Sequence, residues 1–284
     1  MVAELYFERD LFGEKLRVRL YDVEESVAQE ILEEMYHEAL RLQKIFNFYD
    51  PASELSILNS RRSAQLSPEL EEVLTSALLV CKETRGAYDI SLGKSFMQRK
   101  YGNPITPLAC SYTDIHIENH IATLKHPDVF IDLGSIAKGY IADTLAQFLQ
   151  SYGIENGMID ARGDIIFFGS REHLIEVQHP RITEQAYCTI RVVNKAVATS
   201  GDYRQFHKTY NNSHILNQQD AASITVIAPT LMQADAYATA LFVIDASQRK
   251  ELLSRNEQIA ALVIDTTLAS QEYNGFNALV HYDS

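Results

Sequence analysis

Apolar residues recur at helical spacing from Glu24 to about Phe48, at Val27, Ile31, Met35, Ala39, Leu42 and Phe46. That period predicts a long amphipathic helix, closed by Asp50-Pro51. Ahead of it LRVRLYD (16–22) alternates apolar with basic residues, the period of a half-exposed strand. Ser67-Pro68 supplies a cap residue and a proline for the first helical position, so a second helix is expected from there to Gly86. Residues 100–128 read as loops and short strands.

Beyond Phe130 the pattern becomes strand, turn, helix, then several strands, a helix and more strands. The expected strands are VFIDL, DIIFFG, HLIEVQ, AYCTIRVV, SITVIA, AALVID and NALVHY; the expected helices are 135–150 and 230–244. Strands outnumber helices there and do not alternate with them one for one. The pattern therefore predicts an α+β fold rather than a doubly wound parallel sheet. No internal repeat, low-complexity tract or Gly/Ser/Pro-rich linker divides the 284 residues, which suffice for one large domain or two intimately joined ones.

Composition narrows the function classes. The chain is 46% hydrophobic and 22% charged, as ordinary folded proteins are. Its formal net charge of −13 is offset by no lysine or arginine run, which argues against general nucleic-acid binding. A small anionic ligand remains possible where a metal, a lysine or a helix N-terminus meets its charge locally. Cys81, Cys110 and Cys188 have no metal-ligand spacing, and their odd count argues against a disulfide framework. MVAELYFERD is not a signal peptide, and nothing downstream approaches a membrane span. A cytoplasmic location is the expectation, unless a leader has been removed.

Two segments carry candidate chemistry. In FIDLGSIAKGYIADTLAQFL, Asp132, Gly134, Lys138 and Gly139 crowd the passage from an apolar run into a helix. One reading is a tight turn with a solvated lysine. The other is an anion site built from free helix N–H groups, the helix dipole and Lys138, with Asp132 accepting hydrogen bonds from a ligand's polar edge. Gly134 and Gly139 have the spacing of a phosphate loop's glycines, but Tyr140-Ile141 stands where that loop needs Lys-Ser/Thr to hold phosphate and metal, and there is no G-x-G-x-x-G.

In SITVIAPTLMQADAYATALFVID, Thr230 and Gln233 fit a capping box, and Asp235 and Thr239 share one face of the helix that follows. They read either as a solvated first-turn aspartate with a self-bonded threonine, or as hard oxygen ligands suited to Mg²⁺.

Taken together, D-L-G-S-I-A-K-G-Y-I-A-D and A-D-A-Y-A-T-A-L-F-V resemble the ApbE family of Mg²⁺-dependent FAD:protein FMN transferases. Further pieces fall in the family's order: YDPASELSILN (49–59), GAYDISLG (86–93), GMIDARGDIIFFG (157–169), AVATSGDYRQF (196–206) and SHIL (213–216). The resemblance implies one ApbE-like domain over 1–284, with mixed or antiparallel sheets, packed helices and a flavin site between two joined subdomains.

It also implies roles. Asp132, Lys138 and Asp160 would contact FAD, and Tyr49 would pack on the flavin or help close its pocket. The Ser135 carbonyl and the side chains of Asp235 and Thr239 would hold Mg²⁺. Asp235 and His214 are the catalytic candidates, His214 as an acid–base group. The implied reaction is attack of an acceptor protein's threonine or serine hydroxyl on the FMN-side phosphorus of FAD, releasing AMP. The alternatives are an ApbE-like module that holds a nucleotide without transferring it, and a Mg²⁺-dependent hydrolase giving FMN and AMP.

Three segments depart from the family pattern. Asp160-Ala161-Arg162-Gly163-Asp164 stands where the family has N-A-G-G-D. The stretch from His214 to Asp220 lacks the family's Asp-Pro and Thr-Gly turn, and Phe12-Gly13-Glu14 replaces a methionine-glycine-threonine.

Overall fold

A computed structural model of the chain describes residues 3–182, 184–202 and 220–281. The hairpin β1 (Ala3–Leu11) and β2 (Glu14–Val23) leads into the helices α1 (Glu25–Phe46) and α2 (Glu54–Arg61). Then come β3 (Ser63–Gln65), α3 (Pro68–Glu83), α4 (Gly93–Lys100) and a short hairpin of β4 (Ile115–Glu118) with β5 (Ile121–Leu124). After α5 (Ala137–Ser151) the chain is mostly strand: β6 (Asn156–Ala161), β7 (Asp164–Phe168), β8 (His173–Gln178), β9 (Ala186–Val192), β10 (Ala196–Gly201) and β11 (Ala221–Ala228). It ends with α6 (Leu231–Phe242), α7 (Ala246–Arg255), β12 (Ala260–Asp265), β13 (Ser270–Tyr273) and β14 (Val280–His281).

Among the described residues, eight strands form one sheet in the order β1-β2-β6-β7-β10-β11-β12-β13. Every neighbouring pair in it is antiparallel. Two three-stranded sheets, β14-β9-β8 and β3-β5-β4, complete the α+β fold that the pattern implies.

Alternation along the strands sorts side chains onto two faces. Leu16, Val18, Leu20, Ile159, Ile166 and Ile224 join the main core with the helices, while Phe167, Val197, Ile227 and Leu262 pack with Val177 of β8 and Ile190 of β9. β11 is buried along its whole length, Ser223 and Thr225 included, so SITVIA has no solvent-facing side and shows no strict apolar–polar alternation.

The structure departs from the pattern at several points. VFIDL is no sheet strand: it lies beside residues 90–93 through one parallel bridge, Leu92 to Phe130. Its apolar side chains, Val129, Ile131 and Leu133, are buried by general packing. NALVHY is largely a 3-10 turn over Phe276–Leu279 followed by the short β14. The helix expected from 135 begins at Ala137, and that expected over 230–244 spans Leu231–Phe242. No helix among the described residues is long and apolar enough to cross a membrane.

Candidate active site

The passage into α5 is a self-bonded turn. Asp132 Oδ1 accepts the Gly134 N–H at 2.8 Å, and the Leu133 carbonyl accepts from Ile136 and Ala137 at 3.1 and 2.9 Å. This turn presents the Gly134 carbonyl to Lys138, whose Nζ donates to it at 2.9 Å. Tyr88 OH and Ser135 Oγ are 2.8 Å apart, and among the described residues the Ser135 carbonyl takes no backbone hydrogen bond.

The start of α6 meets that turn. Thr230 Oγ1 accepts the Gln233 N–H at 3.3 Å, half of the expected capping box. One turn on, the buried Asp235 accepts Lys138 Nζ on Oδ2 at 2.9 Å. The Gly134 carbonyl and the Asp235 carboxylate therefore lie no further apart than two hydrogen-bond lengths. Another turn along the same face, Thr239 Oγ1 is 3.2 Å from Ser200 Oγ of β10. Asp164 Oδ2, at the first residue of β7, stands 3.8 Å from Lys138 Nζ.

One ammonium thus sits among several carboxylates. Burial lowers the Lys138 pKa, but Asp235 and Asp164 more than offset it, so the group titrates above the ordinary lysine value. Burial raises the Asp132 pKa, held back by the Gly134 N–H and the charges of Lys138 and Lys100. With Asp164 and Asp235 both against the Lys138 ammonium, and Asp132 reaching it only through longer-range charge, the cluster at Nζ is net acidic. It favours an added cation, and a bare diphosphate would be repelled.

The donor set fits Mg²⁺. One carboxylate (Asp235), a hydroxyl (Thr239) and a carbonyl without a backbone donor (Ser135) are hard oxygens, and Mg²⁺ commonly takes one or two carboxylates plus substrate phosphates. No group of three or more His, Cys, Asp or Glu converges on a metal among the described residues.

The other sequence candidates lie differently. Asp160 pairs with Arg17 at 3.5 Å and caps the turn at Gly163, its strand position opposing Arg17 on the face away from the helices. Tyr49 is 56% exposed and linked to Lys100, whose Nζ donates to its hydroxyl at 2.8 Å and lies 4.0 Å from its ring centroid. His214 lies outside the described residues.

Asp164, Ser200 and Tyr88 were not singled out from sequence, though a signal for two of them was present. Asp164 has the strand parity of Ile166 and Phe168, and Ser200 that of Ala196 and Ala198, all in the helix-side core.

The family model described as the ApbE family matches residues 12–263. A relative from Haemophilus influenzae called FAD:protein FMN transferase is 29% identical over 254 residues, covering 77% of this chain and 73% of the relative. The fold is similar to that of the ApbE protein from Thermotoga maritima, with TM-score 0.87 at 22% identity over 99% of this chain and 100% of that one. It is also similar to a flavin transferase ApbE from Vibrio cholerae, with TM-score 0.83 at 22% identity over 98% of this chain and 100% of that one. At such identities the solved structures speak to fold alone.

Proposed function

The chain belongs to the ApbE family, and from that premise we propose that it is a Mg²⁺-dependent FAD:protein FMN transferase. It joins FMN through a phosphoester to a threonine or serine of an acceptor protein. The observation that carries this reading is Lys138 bonded at once to the Gly134 carbonyl and to Asp235, which draws the two helix starts into one site.

In the reaction, the acceptor hydroxyl oxygen bonds to the FMN-side phosphorus of FAD. The bond from that phosphorus to the bridging oxygen breaks, and AMP leaves with the bridging oxygen and its electron pair. Lys138, held protonated by its carboxylate neighbours, turns an N–H toward a diphosphate oxygen and stabilises the charge that develops there. Asp132 orients the nucleotide, and Tyr49 with Lys100 borders the flavin side. Asp164 stands beside Lys138 and takes the part that sequence alone gave to Asp160. Asp235 and His214 are the candidates to receive the hydroxyl proton, His214 on sequence grounds only.

Ser135, Asp235 and Thr239 are the residues that would hold Mg²⁺, which when bound supplies charge neutralisation on the diphosphate.

Incubation with FAD, Mg²⁺ and a protein bearing a candidate threonine or serine tests the proposal. AMP together with a flavin-fluorescent acceptor band on a denaturing gel is the expected result. AMP with free FMN alone would instead mark a hydrolase, and bound FAD without AMP a binding module.

A further inference from the structure

The D-L-G-S-I-A-K-G-Y-I-A-D segment ends in a carboxylate that the mechanism above leaves unused. Asp143 is only 7% exposed and lies on α5, four residues after Gly139 and hence on the same face. Its two oxygens accept the N–H groups of Leu231 and Met232, at 2.7 and 2.8 Å. Those are the first two residues of α6, where amides have no intrahelical acceptor. Thr230 accepts the next two, its Oγ1 from Gln233 and its carbonyl from Ala234.

The Ala234 bond is the first of the helix itself, so the amides of Leu231, Met232 and Gln233 are the ones that need outside acceptors, and two of these three are fixed by the neighbouring helix. Gly139 makes this possible, since a Cβ there would meet the Leu231 carbonyl oxygen at 2.4 Å. Lys138 precedes Gly139 on α5, and Asp235 follows Leu231 by one turn of α6, so the clamp lies directly behind the Lys138–Asp235 contact.

We propose that Asp143 is a positioning residue: by clamping the first turn of α6 onto α5 it sets the register in which Asp235 and Thr239 face the Ser135 carbonyl. The proposal rests on the transferase reading for the purpose of that register. A helix cap that served stability alone would be met by a serine or threonine within α6 itself, as Thr230 already does for Gln233. A carboxylate from another helix instead couples two site-bearing elements, the part that outer-shell partners play at metal sites.

The test uses the whole chain and Mn²⁺ as the probe, with free and bound ion measured by electron paramagnetic resonance, without FAD. Asp143→Asn keeps size but offers one acceptor where two are needed. It should weaken Mn²⁺ binding roughly tenfold, as loss of an outer-shell partner does, with the wild-type circular dichroism spectrum retained. Wild-type affinity in the folded variant would overturn the proposal.

Should Asp143→Asn fail to fold, hydrogen exchange on the wild-type protein decides. Linkage requires Mn²⁺ binding to slow exchange of the Leu231 and Met232 amides if they share a coupled unit with Asp235. Unchanged rates with Mn²⁺ bound would overturn it. A wild-type protein that neither binds Mn²⁺ nor releases AMP from FAD would remove the transferase reading and this proposal together, whereas a wild type that does both leaves the variant to decide the positioning role alone.

Discussion

Lys138 is the residue on which the site turns. Its ammonium bonds the Gly134 carbonyl and Asp235, with Asp164 close by. Lys138→Met removes the cation and leaves two carboxylates facing one another, so we expect kcat to fall by roughly two orders of magnitude, the loss seen when one donor to developing charge is removed. Steady-state AMP release measures this, and excess Mg²⁺ should not restore it. Strand parity gives a paired prediction. Asp164 shares the helix side with Ile166 and Phe168, while Asp160 opposes Arg17 on the other face. Asp164→Asn should therefore depress FAD turnover at least about tenfold, the lower end of what such partners contribute, whereas Asp160→Asn should stay close to wild type. Equal losses in the same AMP assay would contradict the assignment. Helix phase alone puts Asp235 and Thr239 on one face of α6, where they meet Lys138 and Ser200. The position of Asp164 beside Lys138 is not legible from a motif match, which does not say which way a strand residue points.

At the scale of elements, the crossing of α5 and α6 matters most. A Cβ on Gly139 would meet backbone at Leu231 and Met232, which cannot rotate aside as a flexible side chain would. Gly139→Ala should cost about 1–3 kcal/mol, the usual penalty of overpacking, read as a lower Tm, and should weaken Mn²⁺ binding by shifting α6. The sequence made α1 plain because its buried residues, from Ala28 to Phe46, keep one helical face. It hid α7, whose residues Ala246–Arg255 are mostly polar, with Arg249, Leu252 and Leu253 as the buried ones. VFIDL misled because an apolar run signals burial, and burial here comes from packing beside residues 90–93 rather than from a sheet. The contact between α5 and α6 was not readable from local pattern. Residues almost a hundred positions apart meet only through the tertiary fold.

Across the whole molecule, the fold keeps an ionisable carboxylate at a cost to stability. Burial, followed by the charge of Asp235, raises the Asp143 pKa from the ordinary 3.8 to about 6, against the pull of the Leu231 and Met232 amides. The sign follows from linkage: the unfolded chain releases this proton near 3.8 and the folded one only near 6, so ionisation opposes folding between those values. Wild-type protein should therefore lose stability relative to Asp143→Asn as pH climbs through that window, and the difference should level off above it. Denaturant titrations at a series of pH values measure this; a constant difference would contradict the buried-carboxylate account. On the proposed reading, a chain of net charge −13 would need a local cation to bring a diphosphate to its acidic cluster, so metal dependence is expected of the molecule as a whole.

The most direct measurement is AMP release from FAD across a Mg²⁺ titration, with acceptor flavin fluorescence read in parallel, for wild-type protein and Asp235→Ala. The wild type should release AMP in step with labelled acceptor and only when Mg²⁺ is present. The variant, folded by circular dichroism, should do neither at any Mg²⁺ concentration. Full Mg²⁺-dependent transfer by Asp235→Ala would contradict a catalyst built where α5 and α6 begin.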